Sequence, residues 1–132
     1  MKLYEYTIKR QNTSYIGAVL VKNDETVCFD RVFSTNREKY PYLSAIEMAV
    51  SYVHNQEPNL KEDLILYGEH LGVNDPLTSM YVEKVLPYQK VVPNTAELTE
   101  KDESFLALAK KRVEATVSPI DMRAMTQNIW YD

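Results

Sequence analysis

The fold is decided by residues 3–33, which read LYEYTIKRQNTSYIGAVLVKNDETVCFDRVF. This segment alternates extended, apolar or aromatic stretches with short polar turns, a pattern typical of consecutive β-strands. The three stretches are residues 3–10, 15–22 and 25–33. Because the connections between them are short, the segment predicts a three-stranded meander.

Downstream of the meander, helical periodicity alternates with short apolar runs. Pro41 stands where the first residue of a helix tolerates proline, and the apolar residues that follow it predict a helix over residues 41–55. A Thr99–Asp102 capping box marks the start of the last helix, which Ser118-Pro119 ends. Between these helices the sequence predicts a strand over residues 63–68, a helix over 76–86 and a short strand over 88–92.

The predicted order of elements is βββαβαβα. Three neighbouring strands followed by alternating helices and strands indicate an α/β domain with a mixed five-stranded sheet flanked by helices. We therefore expect one domain over residues 1–132, in which residues 119–132 form a C-terminal tail.

Composition excludes several classes of protein. The chain has 132 residues, 19 acidic and 15 basic side chains and a net charge of −4, which argues against a sequence-independent coat on DNA. One cysteine, Cys28, permits neither an intramolecular disulfide nor a thiolate zinc cluster. No apolar run is long enough to span a bilayer, and the first residues lack the apolar core of a signal peptide. We expect a cytoplasmic protein that does not contact membranes.

Three stretches in this order resemble the ribonuclease H superfamily. YIGAVLV (residues 15–21) is similar to the second strand of that family, and LILYGEHLGV (64–73) is similar to its fourth strand. VVPNTAELTEKDESFLALAKKRVEA (91–115) is similar to its last strand, loop and helix. The resemblance covers residues 3–117 and implies a ribonuclease H-like fold.

The resemblance also identifies the positions at which the family holds its catalytic metals. Family activity needs four carboxylates around two Mg²⁺ ions, which activate the attacking water and stabilise the leaving oxygen. At the four matching positions this chain has Ile8, Tyr42, Glu69 and Leu106. One carboxylate of four implies a domain that has lost the metal site and uses no cofactor.

A divergent Mg²⁺-dependent nuclease is the alternative, in which Glu69 acts with Glu5, Glu47 or Glu103. Each of these replacements has an ordinary explanation. Glu5 lies three residues from the matching position, so strand alternation places it on the other face of the sheet. Glu47 belongs to the polar stripe of the first helix. Glu103 stands in the first turn of the last helix, where carboxylates favour the helix dipole.

Binding residues are the remaining candidates. Lys9 and Arg10 stand where the family begins its metal-binding loop, and cations there can hold a phosphate without cleaving it, although an ordinary basic strand end has the same sequence. Tyr42, Glu69 and Trp130 complete the candidate surface. The apolar terminal residues 128–132 either pack on the domain or contact a partner. Lys110-Lys111-Arg112 is typical of a solvated helix face.

The sequence therefore predicts a non-catalytic ribonuclease H-like module that binds a macromolecule, either a protein or a nucleic acid. A small viral or phage accessory or inhibitor protein, in which the fold is only a scaffold, is a further hypothesis. A homodimer stays open, and the sequence does not identify the partner.

Overall fold

The computed structural model describes residues 1–34, 42–60, 62–68 and 91–117. Its strands are β1 Lys2–Arg10, β2 Thr13–Lys22, β3 Glu25–Ser34, β4 Leu64–Tyr67 and β5 Val91–Pro93, and its helices are α1 Tyr42–Gln56 and α2 Glu100–Thr116. The prediction of an α/β fold with a mixed five-stranded sheet flanked by helices is confirmed.

The five strands form one sheet in the order β3-β2-β1-β4-β5. The predicted meander is antiparallel, with Leu3 opposite Leu20 and Val19 opposite Cys28. Strand β4 returns to the other edge of β1 and runs parallel to it, and β5 runs parallel to β4. The first strand is therefore central in the sheet.

The first connection of the meander is shorter than the sequence indicates, whereas the second is the two-residue turn, residues 23–24, that the sequence predicts. Only Gln11-Asn12 separates β1 from β2, because Thr13 pairs with Arg10 and the second strand begins there. Gln11 and Asn23 adopt positive φ values of 54° and 56°, which two-residue hairpin loops require. Two tight hairpins thus fix the register of all three strands.

Alternation along β1 separates two cores. Leu3 belongs to a cluster with Ile16, Leu20 and the apolar face of α1. The next residue, Tyr4, belongs to a second cluster with Val19, Tyr67 and Ala109 of α2. Since consecutive side chains of a strand point to opposite faces, α1 and α2 cover opposite faces of the sheet.

Gly17 sets how closely α2 approaches the sheet. A Cβ atom placed on Gly17 would collide with the carbonyl oxygen of Ala109 and would lie 2.8 Å from the backbone nitrogen of Val113. Both neighbours are helix backbone, which cannot rotate away as a side chain can. The glycine in the second strand therefore permits direct contact between strand and helix backbones.

The helix predicted over 41–55 is observed as α1, displaced by one residue, and the capping box predicted at Thr99 and Asp102 is confirmed. The fifth strand, predicted over residues 88–92, is described over Val91–Pro93, and residues 88–90 of the prediction lie outside the described residues. The helix predicted over residues 76–86 and the tail over 119–132 lie outside the described residues. Neither described helix is both long and apolar enough to pass through a bilayer.

Candidate binding cleft at the ends of β1 and β4

Strand β1 extends well beyond the strand that flanks it. Strand β4 pairs only with the first part of β1, and the last matched residues are Tyr4 and Tyr67. Strand β1 continues to Arg10, still paired with β2 on its other side. A cleft opens past Tyr67, between helix α2 and the part of β1 that no strand of the described ranges flanks on this side.

The cleft has a volume of about 530 Å³. Strand β1, the residue after β4 and one face of α2 supply its lining residues, which are Glu5, Tyr6, Thr7, Gly68, Leu106, Ala107 and Lys110. The lining combines one carboxylate, one ammonium group, one aromatic ring and apolar side chains. Such a mixture is typical of recognition sites, where apolar area supplies affinity and a few polar groups fix orientation.

Glu5 is a lining residue whose side chain lies on the face of the sheet opposite that of Tyr6. The residue is only 1% exposed, and the Thr7 hydroxyl donates a hydrogen bond of 3.2 Å to Glu5 Oε2. Gly68 passes directly over it with a φ of 109°, and a Cβ atom on Gly68 would lie 3.1 Å from Glu5 Oε1 and would collide with the Glu5 carbonyl oxygen. A glycine is therefore required after β4, both for its backbone conformation and for the space above Glu5.

Tyr6 and Lys110 form the opposite, accessible side of the cleft. Tyr6 is 37% exposed on the face of the sheet that α2 covers. The Lys110 ammonium lies 5.7 Å from the centre of the Tyr6 ring, within the range of a cation–π contact. The pair presents a positive charge beside an aromatic ring, which suits recognition of an anionic or aromatic group.

The described residues of the cleft do not suit a pair of Mg²⁺ ions. Two-metal sites need several carboxylates, whereas Glu5 shares this cleft with Leu106, Ala107 and the positive Lys110. Across the described ranges, no three His, Cys, Asp or Glu side chains come together in a way that could hold a metal.

The structure brings together only some of the residues that the sequence indicates. Leu106 lines the cleft, whereas Ile8 lies further along β1, opposite Tyr15. Tyr42 is the first residue of α1, but its side chain is outside the described part of the chain. Glu69 lies directly after the last described residue of its segment and is itself not described.

The alternative carboxylates separate into different environments. Glu5 lines the cleft and is buried beside the end of β4. Strand alternation places its side chain on the face of the sheet opposite that of Tyr6 and Ile8. Glu47 is half-buried on α1, and Glu103 is exposed in the first turn of α2. Neither Glu47 nor Glu103 lines the cleft.

Lys9 and Arg10 end β1, beyond the cleft. Lys9 is exposed, and the Arg10 guanidinium donates a hydrogen bond of 2.9 Å to the Lys9 carbonyl oxygen. Both residues lie on the part of β1 beyond its pairing with β4, with Arg10 on the face of the sheet that carries Tyr6 and Lys9 on the other face. Trp130 lies outside the described residues.

A second polar cluster lies at the opposite end of β1, where α2 begins. The Tyr4 hydroxyl donates a 2.6 Å hydrogen bond to Asp102 Oδ1, and the Thr99 backbone N–H donates to Oδ2 at 3.0 Å. Burial raises the pKa of the Asp102 carboxyl. The hydrogen bonds and the Lys2 ammonium together lower it by more than burial raises it, so the pKa falls below its usual value. Burial and the Asp102 carboxylate raise the pKa of the Tyr4 hydroxyl. The cluster fastens α2 to the central strand.

Sequence reasoning missed Tyr6 and Lys110 as partners. Tyr6 is one of several strand tyrosines, and Lys110 belongs to a basic run that is typical of solvated helices. Their proximity depends on where α2 crosses the sheet, which the close contact at Gly17 determines. Gly17 in the second strand is the feature of the sequence that could have indicated this crossing, since a glycine inside a strand often marks a close approach of another backbone.

Comparisons with known proteins do not identify the chain: no protein-family model matches it, and no curated protein matches it.

Proposed function

We propose that this chain is a non-catalytic ribonuclease H-like module that binds a protein partner in the cleft formed by β1, α2 and the residue after β4. The resemblance of residues 3–117 to that superfamily motivates the fold assignment. The mixed five-stranded sheet with helices on both faces is compatible with it.

The composition of the cleft is the observation on which this proposal rests. The accessible Tyr6 ring and the Lys110 ammonium stand beside apolar Leu106, while the carboxylate of Glu5 is buried beneath Gly68. An aromatic anchor with a neighbouring cation is typical of the residues that dominate protein interfaces. Such a site binds a side chain or a short segment without supplying a nucleophile or a metal.

The charges favour an acidic protein segment over nucleic acid. Lys110 lines the cleft, and Arg10 ends β1 on the face of the sheet that carries Tyr6, so this part of the surface has positive charge that attracts carboxylates. A nucleic acid backbone needs many such cations, whereas the chain carries a net charge of −4 and the acidic residue Glu5 is among those that line the cleft. A few cations beside apolar surface match a peptide that carries acidic and apolar residues.

The experiment compares capture of proteins by three immobilised forms of the chain from a lysate of the cells in which it occurs. These are the natural chain, the double variant Tyr6→Ala/Lys110→Glu and the control Lys111→Glu, which makes the same charge change next to the cleft residue but outside the lining. We expect a protein that the natural chain and the control retain equally and that the double variant loses. Quantitative mass spectrometry measures the ratios.

Parallel measurements use single-stranded DNA, an RNA–DNA hybrid and duplex DNA at low salt, where phosphate contacts are strongest. We expect no retention that depends on Tyr6 and Lys110, and no cleavage of the hybrid when Mg²⁺ is added. Cleavage that disappears in Glu5→Gln and Glu69→Ala would establish the divergent nuclease. Retention that depends on the cleft would make nucleic acid the partner.

A further inference from the structure

Strand β3 forms an edge of the sheet. All ten of its residues, Glu25–Ser34, are in register with β2, and in the described ranges no other strand pairs with it. Strands of globular proteins usually have about five or six residues, so this edge is long. A long edge exposes a row of backbone donors and acceptors that can pair with another strand.

The hairpin determines which backbone groups point outward. Lys22 and Glu25 flank a two-residue turn, so they form a hydrogen-bonded pair of the antiparallel ladder. Hydrogen-bonded and non-hydrogen-bonded pairs alternate along such a ladder. The N–H and C=O groups of Thr26, Cys28 and Asp30 therefore point away from β2, toward the open edge.

The side chains of β3 are arranged symmetrically around Cys28. Glu25 lies on one side and Arg31 on the other, at equal separation from the middle, and both are exposed. Between them, Val27 and Phe29 are half-buried, uncharged and packed against the cluster under α1. A strand with this pattern is complementary to an antiparallel copy of itself.

We propose that the β3 edges of two copies of this chain pair antiparallel about a two-fold axis at Cys28, so that the two sheets join into one. This interface is separate from the cleft and does not depend on the proposed function. The same surface of each copy contacts the other, as in a two-fold dimer.

In this register each Glu25 lies opposite Arg31 of the second copy, on the face of the sheet that α1 covers. Each Val27 lies opposite Phe29 of the second copy on the same face. Two ion pairs thus enclose two apolar pairs, and cross-strand pairs of both kinds stabilise a sheet. The outward N–H and C=O groups of Cys28 pair with those of its own copy, and those of Thr26 pair with those of Asp30.

Neighbouring registers lack this complementarity. A two-fold axis at Asp30 places that carboxylate opposite its own copy, and an axis at Arg31 does the same for two guanidinium groups. An axis at Phe29 places Arg31 opposite Val27 and forms no ion pair. Like charges directly opposite each other destabilise a strand pair, so charge selects the register at Cys28.

The first test is sedimentation equilibrium of the natural chain from micromolar to millimolar concentration. We expect the mass to rise from 15.3 kDa toward twice that value as the concentration increases. Reversal of one charge, in Arg31→Glu or Glu25→Arg, is expected to weaken the dimer about tenfold or more, because each dimer then contains two like-charge pairs. The double reversal Glu25→Arg/Arg31→Glu should restore dimerisation, and the control Lys111→Glu should leave it unchanged.

Amide hydrogen exchange of the natural chain is the second test, and it requires no variant to fold. We expect the amides of Thr26, Cys28 and Asp30 to become protected only at concentrations at which the dimer forms. A monomer at every concentration overturns the proposal, as does a dimer that the charge reversals leave intact. Protection that is the same at all concentrations also overturns it, since another part of the chain then covers the edge. A bound peptide that protects these amides without dimerisation would identify a different occupant.

Discussion

At the scale of single residues, Asp102 joins the start of α2 to the central strand. Its carboxylate caps the helix through Thr99 and accepts the buried Tyr4 hydroxyl at 2.6 Å, while the residue itself is 4% exposed. One side chain therefore satisfies both a helix terminus and a buried phenol. Loss of such a group leaves polar atoms without partners in the core, which costs more than the hydrogen bonds alone.

We expect Asp102→Ala to lower the free energy of unfolding by about 2 kcal/mol, since the helix loses its cap and the Tyr4 hydroxyl loses its acceptor. Urea unfolding followed by circular dichroism measures the change. Glu103→Ala removes an exposed carboxylate from the same helical turn and should cost about 0.5 kcal/mol or less. Equal effects of the two substitutions would show that the buried cluster does not fasten the helix.

The stability that Asp102 contributes depends on pH. Because the pKa of its carboxyl is lower in the folded chain than its ordinary value of 3.8, the unfolded chain binds the proton more readily. The contribution is therefore complete above pH 3.8 and decreases as the pH falls through the lower, folded value. We expect the difference in unfolding free energy between the natural chain and Asp102→Asn to be constant near neutrality and to shrink below pH 3.8. A difference that grows in acid would contradict the direction of the pKa shift.

At the scale of elements, the contact between β2 and α2 depends on the missing side chain of Gly17. We expect Gly17→Ala to destabilise the fold by about 1–3 kcal/mol, because the added methyl group must displace helix backbone. Thermal and urea unfolding measure this loss. Thr26→Ala on the exposed part of β3 serves as the control and should change stability little. A neutral Gly17→Ala variant would mean that the helix lies further from the sheet.

Local signals in the sequence predict most of the described elements. The polar turns place the meander, Pro41 and the apolar spacing place α1, and the Thr99–Asp102 capping box places the start of α2. Each of these signals acts within a few residues, so it is readable without knowledge of the remaining fold. The link from Asp102 to Tyr4 joins residues 98 positions apart and has no local signal.

The candidate site illustrates what local signals cannot supply. Matching residues 6–10 to a family motif directs attention to Ile8, whereas the parallel register of β1 and β4 places Glu5 at the end of β4. Register between distant strands follows from the packing of the whole sheet and not from either strand alone. The position of Lys110 over Tyr6 likewise depends on how α2 crosses that sheet.

At the level of the whole molecule, the net negative charge and the local positive charge near the cleft affect the attraction of binding partners in opposite ways. The net charge of −4 disfavours long-range attraction to nucleic acids, while Lys110 in the cleft lining and Arg10 at the end of β1 place positive charge on the face of the sheet that carries Tyr6. A local patch of this kind steers a small acidic segment to one place on a surface that repels acids elsewhere. Salt should therefore slow association with the partner.

Titration of the captured protein partner against purified chain, by calorimetry, tests the binding role of the cleft most directly. We predict that Tyr6→Ala/Lys110→Glu weakens binding at least about tenfold, because it removes an aromatic anchor and reverses the adjacent charge. The control Lys111→Glu should keep the natural affinity, and all three forms should unfold at similar temperatures. Equal affinity of the double variant and the natural chain would contradict the assignment of the cleft as the binding site.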